Sequence, residues 1–305
     1  MKTTLSLALA LLLGCLVSLS ALADMVVTDA LGREVRLQQP AQRIVALSPH
    51  LVENLYSAGL GDRLVGAVSH SDYPASAHDI ARVGGYMSVS VEAIVALEPD
   101  LVVAWASGDG GGGALLAQME ALGLRVYVDQ PRRPEDIARA IADFGVLGGR
   151  PDTANAAAAA FRQRLQGLRD RYAGQAPVTL FYEIWNEPLQ TLGGDQFVSH
   201  VMRVCGGRNI FADAATLAPR VSIESVLARD PQAIVASGRG ETAPPWLDDW
   251  RAWPGLTAVK NDHLFFVPPD LMNRPTVRIL DGAQQLCEKL DSVRRDTARN
   301  TASDG

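Results

Sequence analysis

SVEAIVALEPDLVVA, residues 90–104, reads as one unit: a serine, a glutamate two places on, a short apolar helix, a Glu-Pro-Asp turn and an unbroken apolar strand. Ser90 suits a helix N-cap, and Glu92 suits the positive end of the helix that follows. Pro99 ends the helix, and Leu101 to Trp105 form a run for a buried strand. SIESVLARDPQAIVA, residues 222–236, repeats the frame with Ser222, Glu224, Asp230 and Pro231 in the same places. Two copies of one helix-turn-strand unit argue for two lobes of like build. Between them lies PDTANAAAAAFRQRLQGLRDRY, residues 151–172, which starts on Pro151, runs through five alanines and stops before Gly174 and Pro177. Alanine is the strongest helix former, and proline suits a first turn. At about 1.5 Å per residue this helix is a rod of roughly 33 Å, and Phe161, Leu165 and Leu168 give it one stripe for burial.

Outward from these units the chain alternates strands and helices. Before the rod, 43–49 and 64–68 read as strands, 50–58 and 114–122 as helices, and 125–128 as a further strand. After it, 178–184 and 263–267 read as strands, 197–204 and 278–290 as helices, and 242–254 as a Pro- and Trp-containing loop. Such alternation argues for parallel sheets covered on both faces. The expected fold class is α/β, two pseudo-symmetric lobes joined by a single long rigid helix. Its expected divisions are a signal peptide at 1–23, an N-terminal lobe at 24–149, the linker helix at 150–175, a C-terminal lobe at 176–295 and a polar, disordered tail at 296–305.

The 305 residues are 48% hydrophobic and 20% charged, enough apolar mass for two cores. A net charge of −6, with no basic run, argues against nucleic acid and anionic membrane as partners. The opening MKTTLSLALALLLGCLVSLSALAD has one lysine, an apolar core and an Ala-Leu-Ala cleavage site before Asp24. It predicts export and a soluble protein outside the cytoplasm. Leu12-Leu13-Gly14-Cys15 loosely resembles a lipoprotein box, but cutting there leaves an apolar LVSLSALA on the product. Cleavage after Ala23 leaves Cys205 and Cys287, either one disulfide in an oxidising compartment or two buried thiols.

Residues 108–113, GDGGGG, satisfy G-x-G-x-x-G between a strand and a helix. A secreted nucleotide-dependent enzyme using this loop is therefore one reading. The loop lies after at least two earlier strands of its lobe, in an exported protein, and a flexible connection is the simpler one. G-x-S-x-G is absent, and no catalytic cofactor or hydrolase site assembles. The five histidines, His50, His70, His78, His200 and His263, show no metal-site spacing. His50 and His70 follow strands, as exposed loop residues or as neighbours of a bound group. Tyr73, Tyr86, Trp105, Tyr182 and Trp185 cluster where strands end, which in doubly wound lobes borders the ligand crevice. Rings there suit a large, flat, partly apolar ligand. Trp246, Trp250 and Trp253 read as a local core. Glu92 and Glu224, one per lobe, offer two separated carboxylates to arginine clusters of a symmetric partner.

The runs RIVALSPHLVENLYSAGLGDRLVGAVSHSDYP, SVEAIVALEPDLVVAW, RVCGGRNIF, VSIESVLARDPQAIV and RILDGAQQLC together resemble the periplasmic cobalamin-binding proteins of bacterial ABC importers. The resemblance covers nearly all of the chain after the leader, and haem- and siderophore-binding relatives share several of its motifs. It implies a class III periplasmic binding protein, a monomer without catalytic activity, that clamps a corrinoid between its lobes. It places Glu92 and Glu224 as docking carboxylates for a dimeric permease, and pairs Cys205 with Cys287. The ligand-lining positions it implies are Ser48, Pro49, His50, Asp72, Tyr73, Tyr86, Trp105, Trp185, Asp270 and Arg274. Tyr86, Ala218 and Leu271 stand where the best-known member has tryptophans. His50 has no counterpart there, and is a candidate contact for the cobalt of a corrinoid lacking its lower base.

Overall fold

A computed structural model describes residues 24–85, 88–107, 113–238 and 240–303. Ahead of the first sheet, β1 (Met25–Thr28) and β2 (Glu34–Leu37) pair as an antiparallel hairpin. The first sheet holds β3 (Ile44–Ala46), β4 (Leu64–Ala67), β5 (Ala81–Arg82), β6 (Leu101–Trp105) and β7 (Val126–Asp129) in the order β5-β4-β3-β6-β7. Its pairings are all parallel. Side chains alternate across it: Ile44, Ala46, Leu101 and Val103 enter one core, and Val45, Val102, Ala104 and Val128 another. That is why these strands read as continuous apolar runs. The helices of this lobe are α1 (Pro49–Ser57), α2 (Val91–Ala96), α3 (Gly113–Ala121) and α4 (Pro134–Leu147).

The long helix α5 spans Pro151–Tyr172 and buries Ala154, Ala158, Phe161, Leu165, Leu168 and Tyr172. It packs on α4 so closely that a Cβ at Gly145 would lie 2.2 Å from the Ala154 Cβ. Only glycine allows that approach. The stripe is also shared: one apolar core runs from Ile44 and Leu101, through Phe161 and Leu165, to Leu180, Val235 and Leu286. The strut is therefore embedded in both lobes along its length, which gives its stiffness a packing origin.

Beyond it, β8 (Val178–Glu183), β9 (Gly207–Asn209), β10 (Ala233–Ala236) and β11 (Leu264–Phe266) form an all-parallel sheet in the order β9-β8-β10-β11. Helices α6 (Phe197–Val204), α7 (Ile223–Arg229) and α8 (Ile279–Ser303) belong to this half. The repeat seen in sequence is matched atom by atom. Ser90 Oγ accepts from the Ala93 N–H at 3.1 Å, and Ser222 Oγ from the Ser225 N–H at 3.3 Å. Just past the two helices, Glu98 (φ 46°) and Asp230 (φ 39°) both take the left-handed conformation that closes a helix end.

Two expectations are corrected. The tail after Arg295 is helical through Ser303, because no Gly or Pro interrupts the sequence from 283 to 303. The loop at 242–254 contains helical turns at Pro245–Ala252, pinned by buried Leu247 and Trp250. Residues 1–23, including Cys15, lie outside the described residues. Among the described residues, no helix is long and apolar enough to cross a membrane.

Candidate functional site

Parallel strands deliver their carboxyl ends to one edge of a sheet, and in the first lobe three of them bring Ser48, Trp105 and Asp129 together. Ser48 sits at the N-cap of α1, and Pro49 fixes the first turn. That turn points His50 inward. His50 is 3% exposed; its Nδ1 lies 2.7 Å from Ser48 Oγ, and its Nε2 lies 3.6 Å from Asp129 Oδ2. The ring meets Trp105 edge-on, with centroids 5.3 Å apart and planes at 83°. Trp105 itself is half-buried at the sheet edge.

The second lobe answers with residues 270–278. Glu53, on α1 and 2% exposed at its side chain, accepts from Arg278 Nε at 2.8 Å, from Arg278 Nη2 at 2.7 Å and from Arg274 Nη1 at 3.2 Å. Arg274 also bonds Asp72 of the first lobe at 2.9 Å and Asp270 at 3.1 Å. The Arg278 guanidinium lies 4.0 Å above the Tyr73 ring, and Asn54 Nδ2 donates to the Pro275 carbonyl at 3.0 Å. Burial works against charge here. Even so, the Arg274 hydrogen bond and charge hold the Asp72 carboxyl below its usual range, while Asp72, Asp270 and Glu53 hold the Arg274 guanidinium, and Glu53 and Asp270 that of Arg278, firmly protonated. A carboxylate that takes one arginine side-on and a second through a single bond is a strong pairing in partial burial.

Deeper in the second lobe, Glu183 ends β8 at 2% exposure and accepts from Trp250 Nε1 at 2.7 Å. Burial pushes its carboxyl up from 4.5 to about 8, with Asp249 adding to the rise and the Trp250 bond opposing it. Trp250 packs edge-on against Phe181 at 5.5 Å, while Trp246 and Trp253 join the same core. The sequence reading of these three rings as core is the one found. Trp185 stands half-buried on a hairpin, its Nε1 donating to the Glu187 carbonyl at 2.8 Å.

Of the ligand positions taken from the sequence, Asp72, Tyr73, Asp270 and Arg274 meet across the lobes in one network. Ser48, His50 and Trp105 meet on the first-lobe edge, and Pro49 shapes the turn beneath them. Trp185 belongs to the second lobe, on the short hairpin that follows β8. Tyr86 and residues 108–112 of the glycine stretch lie outside the described residues. The cobalt contact expected of His50 is not what the geometry offers: Nε2 is buried and turned to Asp129, and Nδ1 is bonded to Ser48. The reason is the proline-started turn, which directs the ring into the lobe. His70, by contrast, is exposed. Sequence reasoning missed Glu53, Arg278 and Asp129; an acidic residue closing the apolar strand VYVD is the one local signal for the last.

Glu92 and Glu224 are both exposed in the first turns of α2 and α7. The Glu224 carboxyl is held below its usual range by its own backbone N–H and by Ser222. Cys205, at the end of α6, and Cys287, on α8, have Cα atoms 4.7 Å apart, within the span of a disulfide. Among the described residues, no group of three or more His, Cys, Asp or Glu is arranged to hold a metal ion.

A family model described as periplasmic binding protein matches residues 44–271. The chain is 41% identical over 252 residues to a vitamin B12-binding protein of Vibrio cholerae serotype O1, covering 82% of this chain and 90% of that one. Among solved structures, the periplasmic vitamin B12 binding protein BtuF of Vibrio cholerae is similar with a TM-score of 0.77 and 39% identity, over 84% of this chain and 98% of that one. A periplasmic heme binding protein from Pseudomonas aeruginosa shares the fold, with a TM-score of 0.71 and 24% identity over 81% of this chain and 91% of that one.

Proposed function

The chain belongs to the periplasmic binding protein family, and from that premise we propose that it captures cobalamin, or a close corrinoid, between its lobes and delivers it to an ABC importer. One observation carries the reading: likeness to a vitamin B12 binder at 39% identity extends over 98% of that protein's length. The cleft chemistry supports it. Trp105 and Tyr73 supply ring faces for a flat macrocycle, and Asp72, Asp270 and Arg274 supply polar contacts for its amide arms. Binding makes and breaks no covalent bond.

The same reading sets the rest of the chain. Residues 1–23 are a cleaved export signal, and the mature protein works as a periplasmic monomer with Cys205 and Cys287 joined. The lobes are 24–149 and 176 onward, with 150–175 as the strut. Exposed Glu92 and Glu224, each on the same capped frame in its own lobe, match a two-fold permease whose halves present the same basic patch twice.

Intrinsic tryptophan fluorescence of the purified mature protein, titrated in turn with cyanocobalamin, haemin, a ferric siderophore and NAD, tests the ligand. Saturable quenching by the corrinoid at the lowest concentration is expected. Tighter binding of haemin or the siderophore would move the protein to another ligand within the family, and NAD binding would revive the glycine-loop reading.

A further inference from the structure

Asp129 is out of keeping with its surroundings. It is 1% exposed, and neither of its carboxylate oxygens has a hydrogen-bond partner among the described residues. A carboxylate so placed is costly unless a donor or a counter-charge stands close. Two more acidic side chains are bonded to the residues just before it in the strand. Asp143 accepts from Tyr127 Oη at 2.8 Å, and Asp29, tied to Arg33, accepts from the Val128 N–H at 3.3 Å. The donor that faces it is His50 Nε2, 3.6 Å away, itself buried and without a hydrogen bond. Closing that gap to hydrogen-bond length, about 2.9 Å, takes a movement of less than ~1 Å. The imidazole cannot move freely, because Ser48 Oγ holds Nδ1 and the Trp105 ring stands edge-on against it. Asp129 and Trp105 are register partners on β7 and β6, and His50 bears on both, a line of contact that runs from the carboxylate through the imidazole to the ring.

We propose that Asp129 and His50 are positioning residues for ligand binding: Asp129 orients the imidazole, and the imidazole sets the tilt at which Trp105 meets the ligand. The assignment rests on the corrinoid reading of the cleft. It also gives His50 a role without any bond to cobalt. Aromatic edge contacts of this kind correspond to an effect on affinity of about three- to tenfold.

The test uses the purified mature protein with Asp129→Asn, His50→Gln, Trp105→Phe and the pairwise doubles, and cyanocobalamin as probe. The first two variants are expected to shift Trp105 emission in the ligand-free protein and to weaken binding about three- to tenfold. In the Trp105→Phe background neither is expected to weaken it further, since residues acting through one ring are not additive. Additive losses, or full affinity with unchanged Trp105 emission, would overturn the assignment. If Asp129→Asn does not fold, His50→Gln carries the same test. Absence of cyanocobalamin binding in the unaltered protein would overturn the corrinoid reading instead, and the ligand-free emission shift would still decide whether the line to Trp105 exists.

Discussion

Glu53 of the first lobe and Arg278 of the second are joined side-on by two hydrogen bonds, 2.7 and 2.8 Å long, with the Glu53 side chain 2% exposed. Arg274 adds a third donor to the same carboxylate. The lobes are therefore held twice, by the core shared through α5 and by a charge network that ties Glu53 and Asp72 to Arg274 and Arg278. Truncating one member of a buried pair strands the other charges and costs about 3–5 kcal/mol. Glu53→Ala is expected to lose on the order of 3 kcal/mol in urea unfolding, whereas Arg251→Ala, whose pairs with Asp248 and Asp262 are exposed, is expected to leave the urea midpoint essentially unchanged.

Glu183 predicts a pH dependence of stability. Its folded pKa, about 8, lies above the ordinary 4.5, so between those values the unfolded chain releases a proton that the folded chain keeps. Stability then falls as pH rises from about 4.5 to 8, by up to about 1.4 kcal/mol per pH unit from this group. Thermal unfolding across that window is expected to flatten in Glu183→Gln. An unchanged slope would show that the group ionises freely in the fold.

The strut can be tested by register. Two residues inserted after Ala158 turn the rest of α5 by about 200° and carry Phe161, Leu165 and Leu168 off the shared core. Both ligand affinity and delivery to the permease are expected to drop. A flexible hinge would tolerate the insertion with affinity intact, as calorimetry would register.

Docking separates from capture. Glu92→Lys and Glu224→Lys alter exposed first-turn residues that take no part in the charge network, so ligand affinity is expected to stay within about twofold. On the proposed docking, in which each carboxylate meets a basic patch of the permease, corrinoid uptake by cells carrying the double variant is expected to be lost. Normal uptake would exclude these two residues as the contact.

The repeated frame made much of the fold legible, since local signals carry it: serine caps, an acidic first turn and a residue before proline that ends each helix. The strut was legible because an alanine run with one apolar stripe has few other uses. The cleft was legible only in part. Asp72, Tyr73 and Arg274 were named through motif resemblance and meet in the charge network, while Glu53 and Arg278, 225 positions apart, meet only through the tertiary fold. Nothing local distinguishes Glu53 from a surface glutamate on a helix. His50 misled for the same reason: its position after a strand was readable, and the direction of its ring was not.

Capture of cobalamin is tested most directly by equilibrium dialysis of the purified mature protein against cyanocobalamin, with haemin as competitor. The expected result is saturable retention of one corrinoid per chain that excess haemin does not displace. No saturable retention, or complete displacement by haemin, would contradict it.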